Sequence, residues 1–168
     1  TIKIGVLMTL STPAAIIGRD FKDAYDLAMD QIGHKMGPLK AELVYADDEF
    51  NPQKGKQKTE KLVKSDNVDI MTGYIWSHVL LASVNTVTQA GKIIISSNAG
   101  PSPMAGKRCH KNFFNISWQN DQTPMALGEV LNQKGVKSLY IMSPNYAAGK
   151  NMAAGVERTF KGKVVGKD

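Results

Sequence analysis

The stretch TGYIWSHVLLASV, residues Thr72–Val84, decides the fold because it joins a buried strand to an amphipathic helix. An apolar run leads up to a glycine, and beyond it apolar residues recur at helical spacing, at Leu80, Val84 and Val87. Trp76, Ser77 and His78 stand between the two elements. The stretch therefore predicts a strand and a helix joined by a loop that carries aromatic and polar side chains.

The same alternation of apolar strands and amphipathic helices runs along most of the chain. Strands are predicted at Ile2–Met8, Lys40–Asp48, Val68–Ile75, Lys92–Ser97, Asn112–Ser117, Ser138–Ser143 and from Lys163 onward. Helices are predicted at Ile16–Ile32, Pro52–Ser65, Ser77 to about Gly91, Pro124–Gln133 and Ala147–Phe160. This alternation predicts an α/β fold with a doubly wound parallel sheet. Ligands of such sheets bind beyond the carboxyl ends of the strands.

The net charge of +6 does not indicate a nucleic-acid partner. Much of the excess lies in Gln53–Lys64, QKGKQKTEKLVK, where no aromatic residue is present to stack on a base. We therefore expect a solvated, lysine-rich helix face, with Asn51 as the cap and Pro52 in the first turn. A single cysteine, Cys109, excludes an internal disulfide and a cysteine-based metal site. No apolar run approaches the length of a membrane span.

Three enzymatic interpretations fail on the order of the residues. Ser77 and His78 are neighbours, and adjacent side chains do not face each other as a catalytic triad requires. The acidic run Asp47–Glu49 suggests a receiver-type phosphoacceptor, but such a site also needs acids after the first strand, where this chain has LMTLS. Gly100–Arg108 has two prolines and no hydroxyl residue after its lysine, unlike a phosphate-binding loop. We predict that the chain is not an enzyme and uses no cofactor or metal.

The remaining functions of Ser77 are structural or ligand-binding. Its hydroxyl is predicted to cap the helix that follows by accepting an early backbone N–H. The same helix start offers N–H groups and a partial positive charge to an anion. Together with the backbone amides of Ala99 and Gly100, Ser77 could hold a carboxylate, and Trp76 is either a buried structural residue or an apolar wall beside it.

Six segments, in this order, resemble the type I periplasmic solute-binding proteins, and most closely the branched-chain amino-acid-like branch that serves ATP-driven importers. The segments are IKIGVLMTLSTPAAIIGRD, VYADDEFNPQKG, DIMTGYIWS, IIISSNAGPSP, FFNISWQND and LYIMSPNYAAGKN. The resemblance implies two α/β lobes that are joined by hinge strands and close on a small ligand. It also implies a membrane permease as partner and a location in the periplasm, or outside the cell on a membrane tether. A ligand-sensing domain of a receptor or regulator is the alternative for the same fold.

The resemblance implies that residues 1–117 are most of lobe one and that residues 118–168 begin lobe two. Members of this family are longer than this chain, so the second lobe is expected to be incomplete. We therefore expect the chain to bind ligand weakly when it is alone, and we expect that the unfinished lobe could associate with a second copy.

The family's carboxylate anchor corresponds by resemblance to Ser77 and to the segment Asn98, Ala99 and Gly100. The loop from Ser11 to Ala15 would line the mouth of the cleft, and Tyr146 matches the aromatic residue that closes over the ligand from lobe two.

Gly100 also bears on the ligand class. Amino-acid-binding members usually have Thr or Ser at the position of Gly100, which argues against an α-amino acid. With Trp76, Trp118 and Tyr146 in reach, an aromatic or apolar carboxylate is the expected ligand.

Overall fold

A computed structural model describes residues 1–168 and contains eight strands and five α-helices. The strands are β1 (Ile2–Met8), β2 (Lys35–Met36), β3 (Leu39–Asp47), β4 (Ile70–Gly73), β5 (Ile93–Ser96), β6 (Phe113–Asn115), β7 (Ser138–Ile141) and β8 (Lys163–Lys167). The helices are α1 (Ala15–Gln31), α2 (Pro52–Lys64), α3 (Ser77–Gln89), α4 (Gln122–Gln133) and α5 (Ala147–Thr159), with a short 3-10 helix at Ser102–Ala105. None of these helices combines the length and the apolar character that crossing a membrane requires.

The main sheet has the strand order β2-β3-β1-β4-β5-β6. All its neighbouring strands are parallel except β2, which forms a small antiparallel hairpin with β3. The fold is therefore the doubly wound parallel α/β sheet that the sequence predicts. From β1 the chain moves to β3 on one side and then to β4 on the other, so the strand order reverses at the carboxyl end of β1. Such reversals are where ligands bind in open α/β sheets.

The centre of the sheet is buried on both faces, as expected for parallel strands covered by helices. The last five residues of β1 are buried, and so are the predicted core positions Leu80, Val84 and Val87 of α3. On this face α2 and α3 pack closely at Gly55, where an added Cβ would lie 2.5 Å from Cγ1 of Val79. Packing of α3 into this core fixes the direction in which its first turn points.

Apolar residues recur at helical spacing along α1, at Ile17, Phe21, Ala24, Ala28 and Ile32, and form a stripe that is exposed or only half-buried. Ile17 and Ile32 are 39% and 47% exposed, and the buried residues of α1 are Ala15, Gly18 and Met29. Part of the stripe borders a cavity of about 280 Å³ instead of packing beneath another element. The periodicity identified the helix correctly but not the amount of protein that covers it.

The elements from α4 to β8 form a smaller α/β unit. Strands β7 and β8 pair in parallel as a separate sheet, and α4 packs against α5. Its core consists of Ile141, Ala153, Val156 and Phe160. The outer face of this unit leaves an apolar cavity of about 320 Å³ open to solvent.

Several predicted boundaries change because of local backbone geometry. Strand β4 ends at Gly73 and not at Ile75, since Gly73 and Tyr74 have φ angles of 95° and 58° that no regular strand adopts. Strand β2, which was not predicted, has only two residues and follows the left-handed residues Gly33 and His34.

Candidate functional site

A chain of hydrogen bonds ties together the three loops that follow β1, β3 and β4. The indole Nε1 of Trp76 donates to Oγ1 of Thr9 at 2.7 Å. The Thr9 hydroxyl in turn donates to Oδ1 of Asp48 at 2.5 Å, and both Thr9 and Asp48 are fully buried. These bonds hold Trp76 at the point where the strand order reverses.

Asp48 is unusual at this edge of the sheet because its carboxyl group is fully buried. Its Oδ1 also accepts the backbone amide of Phe50 at 2.9 Å, whereas Oδ2 is buried and has no hydrogen-bond partner in the protein. Burial raises the pKa of the Asp48 carboxyl, and the hydrogen bonds from Thr9 and the Phe50 amide act in the opposite direction. Asp48 therefore orders the loop and carries an electrostatic penalty when it is ionised.

Four rings meet above this network and form what we call the aromatic cluster: Phe50, Trp76, His78 and Tyr146. The Phe50 ring lies 4.6 Å from Trp76 and 5.1 Å from His78, and the Tyr146 ring lies 6.2 Å from Trp76 and 5.2 Å from His78, between centroids. All four contacts are edge-to-face, which is a favourable arrangement for aromatic pairs. Tyr146 comes from the C-terminal unit, so the cluster joins that unit to the main sheet.

His78 is also held by the backbone. Its Nε2 lies 3.3 Å from the carbonyl oxygen of Phe50, which can only accept, so Nε2 carries the proton. Nδ1 of His78 is buried and has no partner in the protein.

The predicted capping role of Ser77 is wrong. Trp76 occupies the cap position in an extended conformation, Ser77 is the first residue inside α3, and no side chain caps the helix. The Ser77 side chain is displaced by one position from the cap, so its hydroxyl instead accepts a hydrogen bond from Nδ2 of Asn120 at 3.0 Å. The first backbone N–H of α3 that finds an acceptor is that of Leu80, which leaves the amides of Ser77, His78 and Val79 unpaired.

Helix α5 begins in the same way on the other side of the aromatic cluster. Tyr146 is its cap residue, no side chain caps it, and Lys150 is the first residue whose amide bonds back to Tyr146. The two open helix starts each carry a partial positive charge, which favours an anion between them.

The segment after β5 offers a carboxylate fewer free hydrogen-bond donors than expected. The Ala99 amide donates to the carbonyl of Tyr74 at 3.0 Å, so the expectation that it is available to a carboxylate is wrong. Nδ2 of Asn98 is likewise bonded to the carbonyl of Ile75 at 2.8 Å. The amide of Gly100 has no acceptor in the protein and stays available.

Gly100 is required by a close backbone approach. A Cβ at this position would lie 1.9 Å from the carbonyl oxygen of Trp118, so no other residue fits without a shift of the backbone. The carbonyl of Gly100 accepts the amide of Asn120 at 2.8 Å. These contacts fix the loop beside the start of α3.

The other predicted residues are distributed around this edge. Ser11 is exposed in the loop after β1, and Ala15 is buried at the start of α1. Trp118 is 54% exposed and makes no ring contact with Trp76 or Tyr146, and its place within reach of a ligand stays a prediction.

Residues that were not among the predicted ligand-binding residues complete the site. They are Thr9, Asp48, Phe50, His78 and Asn120. Backbone strain marks the same edge, because four of the six non-glycine residues with positive φ lie in its loops: Thr12, Glu49, Phe50 and Tyr74. Such strain is common where a loop is shaped for a ligand.

The polar groups at this edge form no catalytic constellation. The hydroxyl and carboxyl groups are bonded to each other, to indole and to backbone, and none is arranged as a nucleophile with its base. The chain belongs to the periplasmic binding protein family, which it matches over residues 1–168. Proteins of this family bind solutes for transporters and are not enzymes.

Three similar proteins illustrate the relationship. Leu/Ile/Val-binding protein homolog 6 of Brucella abortus is 27% identical over 149 residues, which cover 88% of this chain and 38% of that protein. A solute-binding protein of an R. palustris ABC transporter in complex with benzoate has a TM-score of 0.93 and 30% identity, over 99% of this chain and 47% of that one. A second such R. palustris protein, in complex with 4-hydroxybenzoate, has a TM-score of 0.91 and 26% identity, over 99% and 46%. This chain thus spans about half the length of the solved structures.

Proposed function

We propose that the protein is the solute-binding component of an ABC importer and that it binds a small aromatic carboxylate in a cleft between two lobes. Residues 1–117 belong to the first lobe and residues 118–168 begin the second. The observation that carries the ligand class is the start of α3, where three unpaired amides stand directly beside the aromatic cluster.

The carboxylate is proposed to lie over the start of α3. The unpaired amides of Ser77, His78 and Val79 are donors, and the Gly100 amide on the adjacent loop is a further one. Charge-assisted hydrogen bonds of this kind are about twice as strong as neutral ones. No acidic residue stands in the first turn of α3 to compete for these donors.

The ring of the ligand is proposed to contact the aromatic cluster. Trp76 and Tyr146 are both half-buried, and their edge-to-face geometry leaves ring faces and edges that another aromatic group can pack against. The R. palustris structures with benzoate and 4-hydroxybenzoate support this ligand class.

The backbone contact at Gly100 supports the choice of an aromatic acid over an α-amino acid. A Ser or Thr side chain there would have to begin with a Cβ 1.9 Å from the Trp118 carbonyl oxygen. The hydroxyl that amino-acid-binding members use for the ligand's ammonium group therefore has no place at this position.

The proposed partner is the membrane permease of the importer, and the proposed location is the periplasm or the outer side of a membrane to which the protein is tethered. The family description supports the periplasm, and the similar solute-binding proteins of ABC transporters support the permease. Association of the chain with a second copy stays a prediction.

Calorimetry on the full-length protein that carries this chain tests the ligand class. Benzoate is the probe, benzamide is the uncharged control of the same shape, and leucine is the competing class. We expect benzoate to bind at least about tenfold more tightly than benzamide, because a charge-assisted hydrogen bond contributes about 1.5–3 kcal/mol. Tighter binding of leucine than of benzoate would overturn the proposal.

A further inference from the structure

Asn120 contacts Ser77 and can act on a ligand through it. It is 4% exposed, lies just before α4, and is bonded through its own amide to the carbonyl of Gly100 at 2.8 Å. Its side chain reaches Ser77 on α3 and Asn151 on α5, with Nδ2 at 3.0 Å from Oγ of Ser77 and 3.3 Å from Oδ1 of Asn151. A single buried amide thus touches both helices that begin at the aromatic cluster.

The direction of these hydrogen bonds follows from a backbone donor at one end. The amide N–H of Ser102 lies 3.0 Å from the Asn151 side chain, and because an N–H can only donate, the atom facing it is Oδ1. The Asn120 atom that approaches the same Oδ1 must then be its NH₂ group, since two oxygens would repel. The same NH₂ group faces Ser77, so the Ser77 hydroxyl is obliged to accept.

A hydroxyl that accepts one hydrogen bond still has its own proton to donate. No acceptor for the Ser77 proton is present in the protein. The Ser77 oxygen is held in place by the hydrogen bond that it accepts from Nδ2 of Asn120. Ser77 is the first residue of α3, so the proton is held beside the unpaired amides.

We infer that Asn120 is a positioning residue that makes Ser77 a one-directional donor to the ligand carboxylate and ties this setting to α5 through Asn151. This inference rests on the proposed function. In this arrangement the Ser77 hydroxyl accepts from Asn120 and donates toward the ligand, whereas a serine hydroxyl ordinarily rotates freely.

The first test concerns hydrogen-bond direction and needs no ligand. Asn120→Asp replaces the donor by an acceptor, so the bond to Oδ1 of Asn151 is lost and the Ser77 hydroxyl has to reverse and donate its own proton to residue 120. Asn151→Asp keeps the accepting oxygen and retains the bonds from Asn120 and from the Ser102 amide. We expect the melting temperature of the full-length protein to fall by several degrees in N120D and by clearly less in N151D. Equal losses in the two variants would contradict the assigned direction.

The second test is a double-mutant cycle on benzoate affinity, using N120A, S77A and the double variant. We expect N120A to weaken benzoate binding about three- to tenfold, and we expect this loss to vanish in the S77A background because Asn120 acts through Ser77. Asn112→Ala is the matched control, since Nδ2 of Asn112 likewise donates two hydrogen bonds, here to the backbone carbonyls of Gly91 and Lys92 at the opposite end of the strands. It is expected to leave benzoate affinity unchanged.

The outcomes separate the two proposals. If N120A and S77A weaken binding by factors that multiply in the double variant, Asn120 does not act through Ser77 and the inference fails while the ligand assignment stands. If the unmodified protein does not bind benzoate at all, the proposed function fails and the positioning role fails with it. The stability test then still decides the direction of the hydrogen bonds.

Discussion

Helices α2 and α3 pack against each other, yet they begin in opposite ways. Asn51 caps α2 by accepting the amides of Gln53 and Lys54 at 2.9 and 3.0 Å. The start of α3 has no side-chain cap, and its first three amides find no acceptor. The capped start leads into a lysine-rich helix, and the open start faces the aromatic cluster.

The difference is possible because α3 is held by packing. A good cap contributes about 1 kcal/mol, which α3 forgoes. Val79, Leu80 and Val87 of α3 are fully buried, and each large apolar side chain that is buried contributes about 1.5–3 kcal/mol. A helix anchored so firmly can leave its first turn available to a ligand, and the more exposed α2 relies on its cap.

The largest effect is expected from Gly100→Ser, which alters the loop beside the open start. The added Cβ would lie 1.9 Å from a backbone oxygen, so the loop must move, and we expect the free energy of unfolding to fall by about 3 kcal/mol. Denaturant titration measures this loss. Gly106→Ser is the matched control, because the nearest atom to its added Cβ is 4.0 Å away. Similar losses in both variants would show that the close approach at Gly100 is not the cause.

Truncating one side chain at each helix start should separate stability from binding. Asn51→Ala is expected to lower the free energy of unfolding by about 1 kcal/mol and to leave benzoate affinity unchanged. Ser77→Ala is expected to weaken benzoate binding by about 1–3 kcal/mol, because it removes a donor to the carboxylate. Calorimetry and denaturation on both variants measure the two quantities. Unchanged affinity in the Ser77→Ala protein would remove Ser77 from the site.

A cap can also be installed on α3. Trp76→Ala and Trp76→Asn both remove the indole, but only Asn supplies an acceptor for the unpaired amides. We expect the Asn variant to be more stable than the Ala variant by about 1 kcal/mol. We also expect it to bind benzoate less well, since its side chain competes for the same donors. The opposite order of affinity would mean that these amides do not hold the ligand.

The smallest effect is expected at Asp48, whose buried carboxyl accepts hydrogen bonds from the Thr9 hydroxyl and the Phe50 amide. Since burial raises its pKa, folding favours the protonated form, and its contribution to stability is greatest below the unfolded pKa of about 3.8 and declines as the pH rises. Asp48→Asn should therefore stabilise the protein at pH 7, and the gain should disappear on acidification below about pH 4. Asp47→Asn is the control, because Asp47 accepts the amides of Leu10 and Glu49 from a less buried position and no gain is expected. A gain from Asp48→Asn that does not change with pH would contradict this explanation.

Most of the fold could be predicted from local patterns. A few neighbouring residues suffice to recognise the buried run of β1, the helical spacing in α3 and the Asn51-Pro52 start of α2. The structure confirms all three. Strand β2 escaped prediction because two residues carry no periodicity.

The site was only partly predictable because its decisive contacts are not local. Ser77 is bonded to a residue 43 positions away, and His78 to one 28 positions away. A serine just before an apolar helix is a reasonable cap by sequence, yet the bond from the Trp76 indole to Thr9, 67 positions away, helps to hold Trp76 in the cap position. Spacing alone does not encode such pairings.

The most direct measurement of ligand binding at the open start is the backbone amide proton shift in the full-length protein during titration with benzoate. We expect large downfield shifts for Ser77, His78 and Val79, because unpaired amides gain a charged acceptor, and little change for Gln53 and Lys54, whose amides Asn51 already occupies. Saturable binding of benzoate that leaves the three α3 amides unmoved would contradict the proposal that the uncapped helix start holds the carboxylate.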